Sequence, residues 1–508
     1  FRLFSGPGES WSHLVENLLL DYSVNTLLLC LGCMLLTLVF GVSSAWIVSR
    51  YCLLKSSFLE WMLILPLAIP SYITAYAYAG LFDYGGLLSR LAAHLGIDHF
   101  RVDVMNIYGL IFVLSISLFP YVYVSARAVF LHQSFRLIEA SKMLGAGETK
   151  TFLKIVLPIA RPAIVGGLLL VLMEVLNDYG AAKYFGVPTF TTGIFRSWFS
   201  LGEPATAVYL SSLLLIVVFL LVSLEKLQRG KRLFSAETKG SFRLPKKKLK
   251  TPKRLLAISI ASIPICLGFI IPLIQLLYWG FLTYATVFTA SFLVIALQSF
   301  FIAVLTGAST VFFALLLLYI PKWNRLRILK NSARIAILGY AVPGSVIAIG
   351  VMILTLGFDK WLVGFFDSSF HISIGLLFNG TIVVLIYAYI IRFVAVAFNP
   401  LEASKTKISD RLSESSRLLG KGRVHTFLKI DFPLLKTGMA SAFILVFVDT
   451  MKELPLTLIL KPYQVNTLAV KAYEYASDEL ILEASIPSLC IIATGIVPII
   501  LLNKFILK

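Results

Sequence analysis

Eleven stretches of this chain are apolar for long enough to cross a bilayer as helices, and that leaves few folds open. A crossing helix needs about 17–25 mostly apolar residues. In order, the stretches are roughly Asn25–Val48, Phe58–Phe82, Tyr108–Val129, Ala163–Tyr184, Ala205–Leu224, Leu255–Leu282, Ala296–Ile320, Ile335–Leu356, Ile372–Phe398, Gly438–Leu460 and Ile481–Leu502. Hydrophobic residues make up 58% of the chain, charged ones 14%, and the mean hydropathy is +0.88. Too little polar surface remains to solvate a water-soluble protein of this size, so the expected class is an all-α polytopic membrane protein. The net charge of +19 could suggest nucleic acid. However, the basic residues sit in short loops between apolar spans, a pattern that belongs to membrane orientation, so no nucleic-acid partner is expected.

One polar stretch occurs twice. EASKMLGAGETKTFLKIVLP runs from Glu139 to Pro158, and ESSRLLGKGRVHTFLKIDFP runs from Glu414 to Pro433. A shift of 275 residues superposes Glu139 on Glu414, Leu144 on Leu419, Gly145 on Gly420, Gly147 on Gly422, Thr151–Ile155 on Thr426–Ile430 and Pro158 on Pro433. Identities among polar residues at one fixed offset are a duplication rather than shared greasiness. Aligning the halves places Asn25-Thr26 opposite Gln298-Ser299 and Pro70 opposite Pro343, and leaves Leu255–Leu282 without a counterpart. The reading is therefore two parallel six-helix repeats, with a twelfth helix expected ahead of Phe1. The expected divisions are a first repeat at 1–228 with five spans, a basic linker at 229–253, and a second repeat at 254–508 with six.

Charge sets the expected orientation. Arg50 and Lys55, then Arg136, Lys142, Lys150 and Lys154, fall in loops on one side. So do Lys322, Arg325, Arg327 and Lys330, then Lys405, Lys407, Arg411, Arg417, Lys421 and Arg423, and Lys504 and Lys508 at the end. From Glu225 to Arg254 there are twelve Lys/Arg against two Glu. The opposite loops, Asp83–Asp103, Asp359–His371 and Lys471–Glu479, are mixed or acidic. The duplicated loops and the linker are thus expected in the cytoplasm. The linker, with Lys246-Lys247-Lys248 between Pro245 and Pro252, reads as a solvated boundary whose charge run could also meet anionic lipid.

Within each duplicated stretch, good helix formers lead to Gly145 or Gly420, which can stop a helix by turning left-handed. A second short helical run is expected from Glu148 to Val156, and Pro158 stands where the next span begins. The predicted shape is a rigid two-helix knob. These residues resemble a known family: Glu139-Ala140, Gly145, Ile155 and Leu157-Pro158 match the loop signature of ABC-importer permeases, E-A-A-x3-G-x9-I-x-L-P. The second copy departs at Ser415 and Phe432, and Ser141 and Ser416 stand where the second Ala would be. The resemblance implies the type I ABC importer permease fold and a coupling loop that docks on a separate ATP-hydrolysing subunit, with Glu139, Ala140, Gly145, Glu414, Ser415 and Gly420 at the contact. It further implies two ATP-binding cassette ATPase subunits, a soluble substrate-binding protein outside, and the inner (plasma) membrane of a bacterial cell. The chain itself contains no G-x-x-x-x-G-K-[ST]. The nearest stretch, Gly145 to Thr151, lacks the second Gly and the upstream strand of a phosphate cradle, so the chain is expected to be a translocation subunit and not an enzyme.

The span after each loop carries polar groups that hydrocarbon does not tolerate unless they face a cavity or a partner. They are Glu174, Asn177 and Asp178 in the first half and Asp449, Lys452 and Glu453 in the second, 275 residues on. Each pair of acids, Glu174/Asp178 and Asp449/Glu453, is spaced i,i+4 and would share a helix face. Lining of a translocation pathway is the reading taken. A structural role, with Lys452 and Lys183 pairing the acids, also fits. Pro455 and Gly180 would loosen the helices there. The segments EVLNDYGAAKYFGVPTFTTGIFRSWF and DTMKELPLTLILKP resemble ferric-iron importer permeases, which implies Fe³⁺ as substrate. Permeases for thiamine and other small solutes share the second segment, and a secondary transporter driven by an ion gradient is the alternative of a different class.

Other candidates have plainer readings. Cys30 and Cys33 form a C-x-x-C inside an apolar run and read as helix packing, not as a redox or metal pair. Cys52, Cys266 and Cys490 also lie in or beside apolar segments. His94, Asp98, His99 and Asp103 lack a ligand spacing, so no metal site or cofactor is expected. Tyr72, Tyr76, Tyr78 and Tyr84 read as an interfacial aromatic belt, and Arg392 as a side chain that snorkels to the cytoplasm.

Overall fold

The computed structural model describes residues 8–53, 56–96, 102–132, 139–141, 143–229, 246–323, 336–371, 375–406 and 408–506. Among them, eight helices are long and apolar enough to cross a membrane, or ten if each of two bent helix pairs is one span, and Ser485–Ile496 is a shorter apolar helix. Each of the eleven expected stretches overlaps one of these, and eight to ten of them are long enough to cross. Several charges used above for orientation (Lys55, Arg136, Lys142, Arg325, Arg327, Lys330, Lys407, Lys508), together with Asp98, His99 and most of the linker, lie outside the described residues.

The chain forms two compact units, Phe1–Leu282 with Ala476–Ser485, and Thr283–Tyr475 with Ile486–Lys508. Helix Thr251–Ile265, which opens the second sequence repeat, belongs to the first unit and packs on helix Leu19–Arg50. Compact unit and sequence repeat are therefore different divisions of the chain.

The first unit is built on three mutually packed helices, Leu19–Arg50, Ile107–His132 and Leu157–Asn177. In lipid there is no hydrophobic drive between helices, so close backbone approach matters most. Helix Leu19–Arg50 turns Cys33, Thr37, Gly41 and Ala45, each four residues on, toward its neighbours, and all are buried. A Cβ on Gly41 would come within 2.7 Å of Val122 Cβ, and one on Gly167 within 2.9 Å of Val122 Cα. Two glycines on two helices thus clasp one residue of the third. Cys30 and Cys33 are buried and unbonded to each other, as packing residues.

The second unit repeats the trio with Ala290–Trp323, Ile382–Thr406 and Lys436–Lys452. Its close contacts fall elsewhere: a Cβ on Gly307 would be 3.0 Å from Phe443, and one on Gly438 would be 2.4 Å from Ser404 Oγ. Duplication preserved the arrangement of helices but not the residues that lock them.

The spans that carry Pro70 and Pro343 are interrupted alike. A short 3-10 turn, Leu65–Ala68 or Ile337–Ala341, leads to Pro70 (φ −55°, ψ 144°) or Pro343 (φ −55°, ψ 143°), after which a new helix starts. Each proline carbonyl caps the restart, accepting from Ile73 and Thr74 at 3.0 and 3.1 Å and from Val346 and Ile347 at 3.0 and 3.1 Å.

The tyrosines after Pro70 correct the sequence reading. Tyr72, Tyr76 and Tyr78 are only 5%, 1% and 4% exposed, so they are core residues and only Tyr84 faces outward. Tyr78 Oη donates to Leu267 O at 2.8 Å, and Tyr76 stacks edge-on with Tyr184 at 4.6 Å. Among the described residues, no cluster of three or more His, Cys, Asp or Glu could hold a metal ion.

Helix Trp11–Asn17 is tied down by Glu203, which accepts from Ser10 Oγ at 2.6 Å, Ser10 N at 3.1 Å and Thr206 Oγ1 at 2.7 Å, while Trp11 packs on Tyr209 at 5.2 Å. The Ser10 and Thr206 hydroxyls hold the Glu203 carboxyl below its ordinary range. A carboxyl depressed by folding contributes stability above its unfolded value, which is lost as pH falls through the depressed one. Protection of residues 11–17 against hydrogen exchange, taken relative to the intrinsic rate at each pH, should therefore fall on acidification through that range, and Glu203→Gln should show the lowered protection at neutral pH.

Candidate functional site

Both polar stretches fold into the same knob. In the first, a helical turn through 139–141 ends at Gly145 (φ +76°), with Leu144 N donating to Ala140 O at 3.1 Å and Ala146 N to Ser141 O at 3.0 Å. In the second, helix Asp410–Leu418 ends at Gly420 (φ +75°), with Leu419 N to Ser415 O at 3.1 Å and Lys421 N to Ser416 O at 3.2 Å. A helix closed in this way uses up its last carbonyls on amides beyond a left-handed residue. Nothing lies within 4 Å of a Cβ at either glycine, so the requirement is the positive φ and not space.

After the glycine, Gly147 (φ −66°, ψ 164°) and Gly422 (φ −68°, ψ 165°) start second short helices, Glu148–Thr151 and Arg423–Thr426. Each runs into one wide π-helical turn, Phe152–Val156 or Phe427–Asp431. The two arms of each knob are joined by a buried hydroxyl pair, Ser141 Oγ to Thr151 Oγ1 at 3.0 Å and Ser416 Oγ to Thr426 Oγ1 at 3.0 Å. The serines that depart from the family pattern are thus internal braces, and each bond is worth about 0.5–1.5 kcal/mol.

The knob's tip is apolar and bare. Met143 and Leu144 are each 88% exposed, and their matches Leu418 and Leu419 are 88% and 79% exposed. Glu139, Ala140, Glu414 and Ser415 are exposed beside them. A paired, outward apolar tip on a charged loop is what an interaction surface presents. The sequence reading placed Glu139, Gly145 and their matches here and matched Leu144 to Leu419, but gave none of these four apolar side chains a docking role. The 275-residue offset, applied to every position, would have found them.

The two knobs are mounted differently. Under the first, Trp46, Phe130 and Phe152 form an aromatic cluster with centroids 4.9–6.3 Å apart, next to buried Val156. Under the second, Tyr319 stacks on Phe427 at 4.7 Å, but Lys405 stands at the position of Phe130 and Asp431 at that of Val156. Lys405 Nζ bonds Asp431 Oδ1 at 3.1 Å, Ser413 Oγ donates to the same oxygen at 3.0 Å, and the charged side chains are 11% and 7% exposed. Lys405 is therefore a buried partner and not a solvated loop charge.

Beyond each knob the span breaks at an acid. Helix Leu157–Asn177 ends at Asp178 (φ −67°, ψ 121°) and a short helix, Gly180–Tyr184, follows. Helix Lys436–Lys452 ends at Glu453 (φ −72°, ψ 120°), before Pro455–Leu460. Asp178 Oδ1 accepts from Ala181 N and Ala182 N at 3.0 and 3.1 Å, and Oδ2 from Ser71 Oγ at 2.6 Å. Glu453 Oε1 accepts from Leu456 N at 3.2 Å.

This corrects the expected i,i+4 geometry. Asp178 and Glu453 have left the helix, so they do not share a face with Glu174 and Asp449. They take up the amides freed by the break. Glu453 also pairs with Arg392 at 3.3 Å, and Arg392, 4% exposed, donates to Val342 O at 3.4 Å. Arg392 is thus a buried tie and does not snorkel, because its counter-charge lies inside. Of the remaining candidates, Asn177 is buried and Glu174 is half-buried, with Tyr121 Oη 3.5 Å from its carboxylate. Asp449 and Lys452 pair with each other at 2.9 Å and are half-buried. Lys183 is exposed.

Residues 37–233 match the family of binding-protein-dependent transport system inner membrane components. That match, the apolar helices and the likenesses that follow support the reading of this chain as a multi-pass permease of the ABC-importer kind with the type I fold. Its likeness over nearly the whole length is to ferric-iron permeases. It is 28% identical to the Fe(3+)-transport system permease protein FbpB 2 of Haemophilus influenzae over 488 residues, covering 95% of this chain and 90% of that one. It is 22% identical to the ferric transport system permease protein FbpB of Actinobacillus pleuropneumoniae, covering 81% of this chain and 60% of that one. The sulfate transport system permease protein CysT of Escherichia coli is 27% identical over 37% of this chain and 69% of its own.

Lys405→Met should leave Asp431 buried without its cation and cost about 3–5 kcal/mol. Lys405→Phe with Asp431→Val, which installs the first repeat's pair, should recover most of that loss in thermal unfolding.

Proposed function

We propose that this chain is the membrane unit of an ATP-driven importer for ferric iron, and that a soluble binding protein delivers the metal outside. The repeats at 1–228 and 254–508, joined by the linker at 229–253, supply the two halves that alternate access. ATP hydrolysis belongs to two partner subunits, on which the two knobs dock through Met143-Leu144 and Leu418-Leu419, flanked by Glu139, Ala140, Glu414 and Ser415. Gly145 and Gly420 set the angle at which those tips project.

The observation that carries this reading is the continuity from each tip to each break. A bare apolar tip, a braced two-arm knob, one wide helical turn and an interrupted span follow in the same order, 275 residues apart. In the first repeat one helix, Glu148–Asn177, runs from the knob to the break, so force applied at its tip has a direct route; in the second the route bends by 72° between Arg423–Leu434 and Lys436–Lys452. In the pathway, Glu174, Asp449 and Lys452 are the half-buried groups that meet cargo, with Asn177 beside them, and Asp178 and Glu453 hold the breaks open. Ferric iron is the cargo that the whole-length relatives' names support, and carboxylates are suitable ligands for a hard cation.

Purified chain should carry two ATPase subunits, and replacing Met143-Leu144 and Leu418-Leu419 with Asp pairs should strip them off. In proteoliposomes, ferric-loaded binding protein should stimulate ATP turnover where thiamine- or sulfate-loaded proteins do not. Uptake by the chain alone, following a proton or sodium gradient, would overturn the proposal. Glu174→Gln should slow iron uptake at least several-fold without loosening the ATPase subunits.

A further inference from the structure

The two knobs are alike in backbone, and the first is tied to the end of the linker. The end of the linker, Lys247–Lys248, forms a short parallel strand pair with Tyr51–Cys52, in the register Tyr51 to Lys247 and Cys52 to Lys248. Successive side chains of a strand leave on opposite sides. Lys246 accordingly meets Glu60, Nζ to Oε1 at 2.7 Å, whereas Lys247 meets Glu148, Nζ to Oε1 at 2.6 Å. Glu148 is the first residue of the knob's second arm. Its other oxygen is 3.2 Å from Tyr51 Oη, so the strand's own partner also holds it. Glu60 is anchored in turn by Arg127, and Tyr123 Oη donates to its carbonyl at 3.1 Å. One three-lysine segment thus joins the end of the first packed helix, the short helix Ser56–Met62 after it, the middle helix of the trio and the knob.

Among the described residues, no strand pairs beside the second knob. The position that matches Glu148 is Arg423, whose charge would repel a lysine strap, and its mount is the internal Lys405–Asp431 pair. The first repeat has Phe130 and Val156 in place of that pair. One knob is secured by charge from within, the other by charge from the linker.

We infer that Lys246–Lys248 is a positioning strap for the first knob, which makes the end of the linker a working part of the coupling apparatus and not a passive tether. Lys247 and Glu148 are positioning residues: they touch no cargo, and act by fixing how the second arm stands on the helix below. This rests on the reading of the knobs as docking elements, but the strap itself can be tested without any partner.

The test compares Lys247→Glu, Glu148→Lys and the charge-swapped double variant in the full chain. Hydrogen exchange on the chain alone should rise about threefold or more in residues 148–156 of each single variant, stay unchanged in 423–431, and return toward the original rate in the double. The Lys247–Glu148 pair is half-exposed, so raising salt to about 1 M, where the screening length is about 3 Å, should reproduce the single-variant effect in the first knob only. With ATPase subunits bound, iron moved per ATP hydrolysed should fall in the singles and recover in the double. Exchange that is unchanged in the singles, or raised equally in both knobs, overturns the strap. If exchange behaves as expected but no ATPase binds the parent chain, the docking reading fails and the strap stands as a structural brace.

Discussion

A helix that stops inside a bilayer strands amide and carbonyl groups where no water can satisfy them, and each orphan costs several kcal/mol. The architecture of this protein turns on how that is avoided at Asp178 and Glu453. Each carboxylate sits where the backbone goes extended and accepts from amides three or four residues on. The acid makes the interruption tolerable, and the interruption gives the span a joint. Charge that looks extravagant for hydrocarbon is thereby accounted for by hydrogen bonding, before any cargo is considered. The first repeat completes the arrangement with Ser71 and the second with Arg392, so one joint is closed by a neutral donor and the other by a buried cation.

The same division recurs wherever the repeats are compared. Backbone features agree closely, as at Pro70 and Pro343, Gly145 and Gly420, and the two hydroxyl braces. Side chains that hold those features diverge in chemistry: Phe130 and Val156 against Lys405 and Asp431, Glu148 against Arg423. Buried ion pairs add little net stability over apolar packing, but removing one member is costly. An ion pair at Lys405 and Asp431 therefore locks in its own partner.

Much of this could be read from the residues. The apolar runs overlapped every helix long enough to cross a membrane, and the offset of 275 located both knobs, with Gly145 and Gly420 correctly placed at the left-handed stop. Periodicity failed at the breaks, because a helix propensity says nothing about a carboxylate that serves amides beyond it. That is why Glu174/Asp178 looked like one face. Arg392 and Tyr72, Tyr76 and Tyr78 were misjudged for a related reason: polarity near the end of a span suggests an interface, whereas a distant partner such as Glu453 or Leu267 O is invisible in one dimension. The strand formed by Lys247–Lys248 was hidden because a lysine run in a linker has the composition of solvated chain.

The wide turns at Phe152–Val156 and Phe427–Asp431 have a consequence for aim. One surplus residue in a helix rotates all that follows by about 100° around the axis, since an α-helix places 3.6 residues per turn. Spelled with ordinary turns, the same sequence would swing Glu174 and Asp449 through more than a right angle relative to the knobs beneath them. Both repeats carry the surplus at the same place, but in the second a 72° bend before Lys436–Lys452 also intervenes, so the two acids are phased differently with respect to their knobs. A deletion of one residue there would leave composition and hydropathy almost untouched while pointing each acid at a different neighbour.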